Sequence, residues 1–438
     1  MDGVRICFVS RRYWPAVSGM SVYAEKLLEG LVARGHDVVL VSQFRGDPTG
    51  SAVYGGGPPP ADRVPAGVRA VGLEALGEQR VADGSPADFD ADIAAMRATV
   101  ERLHAEEPFD LLHAQYAWPT GMAVLEASAA LGLPSVVSVQ GGDGHWVGLC
   151  CPAHSLGIRT VLDRAGAVLI GSRTFADEVV EHHGTDPARF DLVGGATDTG
   201  AFRPADDAAA GSLPGAGPVT LLFHGRVDRR KGVLDLLHAL ATLRAEERDV
   251  RLLVSGIGPD VTAVADLVAE LGLGGAVEQR GYVPYPDAPA VYRDGHVFVS
   301  PTQSEGFSNT ILEAMAAGLP VVTTRTVGVV DCVRDGENGL LHEVGDVAGL
   351  VAALRRLLDE PALGPELARR ALTEVRDVWS WPALTARVEA VYERVAGSAP
   401  DTSWTGLEPA RRPTSAGRGI EPATADADCR FLRTPHLL

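Results

Sequence analysis

Short apolar runs of four to seven residues alternate with longer stretches in which apolar positions recur every three or four residues. A short run bounded by turn residues predicts a buried strand, and the longer period predicts a helix with one apolar face. Strands are expected at residues 4–9, 37–42, 110–113, 135–140, 167–171 and 191–194. Residues 21–34 carry Val22, Leu27, Leu28, Leu31 and Val32 on a helical period, and Gly35 stops that helix. A further helix is expected over 92–107. Between 204 and 218 Ala, Gly, Asp and Pro follow no period, which predicts a linker. The alternation then restarts, with strands at 219–224, 250–255, 277–283, 296–300 and 320–324 and helices near 232–244, 260–271, 308–317 and 347–358. A last amphipathic helix covers 381–396, and the Pro-, Ser-, Thr- and Ala-rich tail from 397 to 438 is expected to be disordered and non-catalytic.

Such alternation defines an α/β chain of parallel sheets covered by helices. The expected domains are 1–203 and 219–380, joined by the linker 204–218 and followed by the helix and tail. Open sheets of this kind bind ligands beyond the carboxyl ends of their strands, so two such domains facing each other would place a cleft between them.

The chain has 438 residues, 57 acidic and 39 basic, for a net charge of −18 with histidine neutral. That surface repels nucleic acid and anionic lipid, so neither is expected as a partner, and no strong membrane association is expected. No apolar run reaches the roughly 18 residues that span a bilayer, and residues 4–9 lack a cleavage pattern behind them. Cysteines at 7, 150, 151, 332 and 429 form no paired CxxC site, which suggests the cytosol. Cys150, Cys151 and His154 read as packing, because adjacent cysteines do not easily supply independent tetrahedral corners; no metal is expected.

Of the 39 basic residues only Lys26 and Lys231 are lysines. The Ala, Gly and Arg excess suggests a coding bias that turns lysine into arginine wherever either cation serves. A retained lysine therefore draws attention to its surroundings. Lys26 lies on a helix; Lys231 ends the stretch Gly225, Arg226, Val227, Asp228, Arg229, Arg230, Lys231 between a strand and a helix start, where a cation pair and backbone amides can converge on an anion.

The stretch PTQSEGFSNTILEAM, residues 301–315, places Glu305 before a helix start and Glu313 eight residues on. Eight helical residues span ~12 Å, close to the reach from ribose hydroxyls to the sugar ring of a nucleoside-diphosphate sugar. Amides of Phe307, Ser308 and Asn309 at that helix start suit the diphosphate. A solvated mid-helix glutamate would not be flanked, as Glu313 is, by Ile311, Leu312, Ala314 and Met315.

On these residues the sequence resembles the retaining glycosyltransferases of family four, over roughly residues 4–396. Ser18, Gly19 and Met20 resemble the family's glycine-containing loop after the first strand, with serine or methionine at the usual second glycine. Gly35 to Val38 match its turn into the second strand, and Asp110 to His113 with Ala114 match its Asp-x-x-His stretch. Gly225, Arg226 and Lys231 match the phosphate-binding cations, Gly256 and Gly258 a Gly-x-Gly turn, and Glu305 to Glu313 the Glu-x7-Glu motif. The chain departs from the family at Gln140, Gly141, Gly142 and Asp143, where a His-Gly pair is usual; glutamine cannot relay a proton, and nearby His145 is the candidate replacement.

The resemblance implies the GT-B fold of two facing Rossmann-like domains and same-face transfer of a hexose-type sugar from a nucleoside-diphosphate sugar, UDP favoured and GDP possible. It implies no cofactor beyond that donor; no divalent metal is expected at the diphosphate, where Arg226, Lys231 and the helix start after Gly306 would do its work. Arg226, Lys231 and Glu305 would be catalytic. Donor contacts would come from Gly19, Gly225, Arg226, Lys231, Gly256, Gly258, Val283, Glu305, Gly306, Phe307, Ser308, Asn309 and Glu313. Glu305 would orient the sugar and Glu313 hold the ribose. His113, Gln140, Asp143, His145 and Trp146 would face the acceptor, a soluble cyclitol, saccharide, thiol or natural-product aglycone. The Asp-x-Asp candidates Asp88/Asp90, Asp90/Asp92 and Asp426/Asp428 lie in loop-like or tail sequence with no phosphate loop beside them.

Four rivals are weaker. A sugar-nucleotide epimerase shares the fold; a phosphorylase needs a pyridoxal-phosphate lysine, for which neither lysine is placed. A non-catalytic sugar-nucleotide-binding protein would not need every donor group, and nicotinamide binding lacks a GxGxxG after the first strand.

Overall fold

The computed structural model describes residues 3–48, 55–149, 151–405 and 429–433. They divide into two compact units, Met1–Val193 with Leu384–Leu438, and Gly194–Ala383.

The first unit is built on seven parallel strands: β1 Arg5–Ser10, β2 Asp37–Phe44, β3 Val68–Glu74, β4 Leu111–Gln115, β5 Ser135–Val139, β6 Ala167–Ile170 and β7 Phe190–Leu192. Their order is β3-β2-β1-β4-β5-β6-β7. The chain winds outward from β1 to one side and from β4 to the other, so the crevice of a doubly wound sheet opens at the carboxyl ends of β1 and β4. Ser10 and Gln115 are paired there. Strands in the middle of the sheet are apolar on both faces because helices cover both; Ile6, Cys7, Phe8 and Val9 are all buried.

The second unit repeats the plan with six parallel strands, β8 Val219–His224, β9 Val250–Ser255, β10 Val277–Gly281, β11 Val297–Ser300, β12 Val321–Thr324 and β13 Leu340–His342, in the order β10-β9-β8-β11-β12-β13. Its crevice lies where β8 and β11 end, which is where the Gly225 and Glu305 loops begin.

Several boundaries differ from expectation. Strands β3 and β13 and the helix Leu363–Val378 have no counterpart in the predicted elements. Residues 194–218 belong to the second unit: Gly211 N–H donates to Gly318 O at 2.8 Å, and Ala210 packs on Ala368 and Leu372. The expected linker is therefore a packed strap. The helix Trp381–Val395 forms as expected, with the division between units falling inside it. Tyr392 is buried in the first unit, where it bonds His113. Within the expected disordered tail, residues 429–433 instead pack, with Cys429, Phe431 and Leu432 buried; residues 406–428 and 434–438 lie outside the described residues. Among the described residues no helix is long and apolar enough to cross a membrane.

In the second unit the backbone turns beyond the strands touch one another without side chains between them. Gly256 has φ +140°, and a Cβ there would lie 1.8 Å from Gly225 O. Gly256→Ala should therefore cost ~3 kcal/mol or more, combining clash and backbone strain. Gly272→Ala, at φ +66° with open space around it, should cost only about 1 kcal/mol. Urea denaturation of both variants measures this, and similar small losses at both positions would contradict it.

Candidate active site

Beyond β8 the chain turns at Gly225, whose N–H donates to Ser255 O at 3.0 Å, while Val227 N–H donates to Ile257 O at 2.9 Å. A Cβ on Gly258 would lie 2.2 Å from Val227 O. The loops after β8 and β9 thus lie backbone against backbone. Gly232, at φ +74°, brings the start of helix Val233–Ala245 against the chain leaving β11, where a Cβ would meet Pro301 O at 1.9 Å. Gln303 N–H donates to Arg230 O at 2.8 Å and fastens the same two loops. The result is a fixed pair: Lys231 Nζ lies 2.7 Å from Glu305 Oε1.

Four cations stand within six residues, and acids hold them in place. Arg229 donates from Nε and Nη2 to Asp260 Oδ1 and from its backbone N–H to Oδ2, Arg230 is bidentate to Asp228, and Arg226 Nε lies 3.4 Å from Asp228. Burial would raise the Asp228 carboxyl, but its hydrogen bonds and charge contacts with Arg230 outweigh this and hold it at about 2. Four positive charges face Asp228, Asp260 and Glu305, so the loop keeps a positive excess. Arg226 and Lys231 each remain 32 % exposed, open to an incoming anion.

Helix Asn309–Ala316 starts beside this loop, within the same unit. Its N-cap, Ser308, makes no side-chain capping bond, so the first amides have no side-chain cap. Asn309 Oδ1 is buried without a partner among the described residues. Gly195 lies against it: a Cβ there would be 2.4 Å from Asn309 Oδ1 and 2.5 Å from the Phe307 ring. Because the helix begins only at Asn309, the eight-residue helical span from Glu305 to Glu313 does not exist, and the ~12 Å estimate built on it falls. Glu305 and Gly306 belong to a loop braced by Glu305 N–H to Val327 O and by Gly328, whose Cβ would meet Glu305 O at 2.1 Å. Glu313 is buried, and Tyr292 donates to its Oε2 at 2.6 Å; burial raises its carboxyl to about 7, and the Tyr292 bond works against that rise. Val283 lies just beyond β10, packed on the apolar cluster that includes Tyr292.

In the first unit the acceptor-side expectations divide. His113 is fully buried under the carboxyl end of β4, with Nδ1 on Tyr392 at 2.5 Å and Nε2 on Ser138 at 2.8 Å, and burial lowers it to about 3. Both nitrogens are occupied, so it is a neutral internal clamp and not an acceptor contact. Asp143 is likewise buried, accepting from the amides of Ala117, Gln140 and Gly141; it shapes the loop after β5. His145 Nδ1 lies 2.8 Å from Glu178, its ring packs on Phe175, and its Nε2 is buried without a partner among the described residues. Trp146 packs against a cluster that includes the C-terminal Phe431.

Gln140 remains half-buried at the strand ends. Its Oε1 accepts from Gln115 Nε2 at 3.0 Å, and Gln115 also bonds Ser10 Oγ and Met20 O. This network ties β1, β4 and the chain beyond β5 to Met20, next to Gly19, where a Cβ would meet nothing within 4 Å. Sequence reasoning missed Gln115, Tyr292, Asp228 and Gly195. Asp228 sat in plain view in the 225–231 stretch; the others become visible only through long-range contacts.

Asp88, Asp90 and Asp92 are not in a loop. Asp88 caps helix Phe89–Glu106, and Asp92 is buried in its first turn, accepting from the amides of Gly77 and Glu78 at 2.8 and 2.7 Å. Asp426 and Asp428 lie outside the described residues.

A family model described as "Glycosyl transferases group 1" matches residues 218–360, and one described as "Glycosyl transferase 4-like domain" matches residues 18–195. D-inositol 3-phosphate glycosyltransferase 2 of Catenulispora acidiphila is 30% identical over 408 residues, covering 86% of this chain and 90% of that one. Glycogen synthase of Mycobacterium tuberculosis is 27% identical over 89% of this chain and 94% of its own. Among solved structures, sucrose-phosphate synthase from Thermosynechococcus elongatus superposes with a TM-score of 0.72 at 23% identity, over 89% of this chain and 98% of that one. Anabaena HepE in complex with UDP and glucose gives 0.68 at 15% identity, over 89% and 100%. Two Rossmann-like parallel-sheet domains of this kind define the GT-B class. The chain belongs to the GT4 family of GT-B glycosyltransferases and is an enzyme.

The buried Glu313 gives a test by pH. Its folded pKa of about 7 lies above the unfolded value of 4.5, so the native state holds the proton longer and stability falls as pH rises from about 4.5 to 7. Glu313→Gln removes that slope. The variant should gain on the parent by about 2 kcal/mol between pH 5 and pH 8 in urea denaturation. A difference that stays constant with pH would show that Glu313 is ionised normally.

Proposed function

We propose that this glycosyltransferase moves a hexose-type sugar, with retention, from a nucleoside-diphosphate sugar to a small polar acceptor, with UDP the favoured nucleotide and GDP the alternative. The single observation that carries the reading is the Lys231–Glu305 pair at 2.7 Å, beside the helix start at Asn309 that lacks a side-chain cap. Departure of the nucleoside diphosphate leaves charge on the β-phosphate while the anomeric carbon becomes cationic. Lys231 and Arg226 meet the first charge, and the amides of the helix start add to them. Glu305 holds Lys231 in position and presents its remaining oxygen to the sugar hydroxyls. Glu313 keeps Oε2 on Tyr292 and offers Oε1 to the ribose.

In this reading the protein's own cations replace a divalent ion at the diphosphate. The departing phosphate accepts the proton of the acceptor hydroxyl on the same face, which suits a chain with Gln140 where a histidine is usual. The relatives named for inositol 3-phosphate and for glycogen support a polyhydroxylated acceptor, a cyclitol or saccharide, over a thiol or an aglycone.

Two glutamine variants test the assignment. Glu313→Gln should weaken free nucleoside diphosphate and intact donor alike, by ten- to a hundredfold for a lost charge-assisted bond of roughly 1.5–3 kcal/mol. Glu305→Gln should spare the free nucleotide and lower turnover, and added Mn²⁺ should restore neither variant. Calorimetry with nucleoside diphosphate and steady-state transfer supply the two readouts. Loss of bare-nucleotide binding in a folded Glu305→Gln protein would reverse the donor along the site.

A further inference from the structure

One buried cluster lies apart from the transfer chemistry. His154 Nδ1 stands 3.1 Å from Cys151 Sγ and 3.4 Å from Cys429 Sγ, and the three ligand atoms all lie within 4.8 Å of one another. The cluster is built from two ends of the chain. Cys151 is the N-cap of helix Pro152–Arg164, and His154 follows three residues later in its first turn, so the two side chains share one side of the helix start. Cys429 precedes the short turn Arg430–Arg433, whose Phe431 and Leu432 are buried with Ala87, Phe89 and Ala153. Ala87 N–H donates to Leu432 O at 2.6 Å.

Three aromatic rings fix the imidazole. Trp118, Phe89 and Phe431 meet it edge-on at centroid distances of 5.5, 6.2 and 6.4 Å. Gly157 admits the Trp118 ring, which a Cβ would approach to 2.4 Å. One nitrogen therefore faces two sulfurs in a buried pocket. Nδ1 carries either one proton or one in-plane lone pair, enough for one thiol. A cation among the three donors serves all of them at once.

Metal geometry agrees. Bond lengths of about 2.3 Å to sulfur and about 2.0 Å to nitrogen give tetrahedral S···N edges of about 3.5 Å and S···S edges of about 3.8 Å. The observed separations lie within a few tenths of an ångström of the first and leave room for the second. Two thiolates and an imidazole select a zinc-class ion over the oxygen-seeking Mg²⁺ and Ca²⁺.

We propose that Cys151, His154 and Cys429 bind Zn²⁺, with water as fourth ligand, and so fasten the C-terminal turn to the first unit. The two thiols release their protons to solvent as the ion binds. Sequence reading dismissed a metal here because it paired Cys151 with Cys150, which lies outside the described residues; the second thiol comes from Cys429, 275 residues from His154. Trp146 packs on the same cluster, so the site also steadies the loop after β5.

The test uses the full chain, purified reduced, incubated with Zn²⁺ and freed of excess by gel filtration. Elemental analysis should find one zinc per chain, and Co²⁺ in its place should give a thiolate-to-cobalt charge-transfer band in the near ultraviolet. Cys151→Ser and Cys429→Ser should each lower retained zinc about tenfold or more, whereas Cys332→Ala should keep it. Chelation of the parent protein should speed trypsin cleavage after Arg433, a readout that needs no variant. The proposal is overturned if the parent retains no zinc or if its cobalt form shows no thiolate band.

Discussion

In the proposed reaction a diphosphate leaving group concentrates negative charge at one point, and on that reading the second unit keeps positive charge there in a protein of net charge −18. The Lys231–Glu305 pair is how the fold does so. Lys231 alone would wander on a long flexible stem; paired with Glu305, itself braced by Val327 and Gly328, it stands at a fixed place before any donor arrives. Asp228 and Asp260 do the same for Arg230 and Arg229, with Asp228 also beside Arg226. The ordering cost of the cationic loop is thus met in folding, and in the proposed transfer its electrostatic stabilisation needs no rearrangement.

That arrangement depends on backbone contacts that only glycine permits. Gly225, Gly256 and Gly258 let the loops after β8 and β9 touch, and Gly232 sets Lys231 against the chain leaving β11. In the first unit the strand ends are joined by side chains instead. Ser10, Gln115 and Gln140 form a hydrogen-bonded row, while His113 and Asp143 are spent on holding that row from beneath. In the proposed reaction the leaving phosphate, not an imidazole, takes the proton, and the neutral His113 and the glutamine at 140 support that reading.

Much of this was legible from residue order. The interior strands of both sheets are short apolar runs because both faces are covered, and the cationic stretch, the glycine turns and Glu305 are local in sequence. What escaped was either irregular or distant. Strand β3 is an edge strand, partly exposed and interrupted by Gly72, and β13 has three residues, so neither shows an apolar run. The late start of the helix at Asn309 is decided by the loop packing around Glu305, which no local pattern reports. Tyr292 reaches Glu313 across 21 residues and Cys429 reaches His154 across 275, so their pairing emerges only when the sheet and its covering helices are assembled.

The most direct measurement is steady-state transfer by Lys231→Gln and Lys26→Gln side by side. Lys26 is half-buried on its helix, 2.9 Å from Glu29 one turn on, and its loss should leave turnover within about twofold, as for helix ion pairs in general. Removing Lys231 should cost about 10²- to 10³-fold in turnover, the range for deleting one fixed partner of a developing oxyanion, with a smaller effect on donor binding. Equal and small effects at the two lysines would contradict the claim that this loop supplies the charge on which transfer depends.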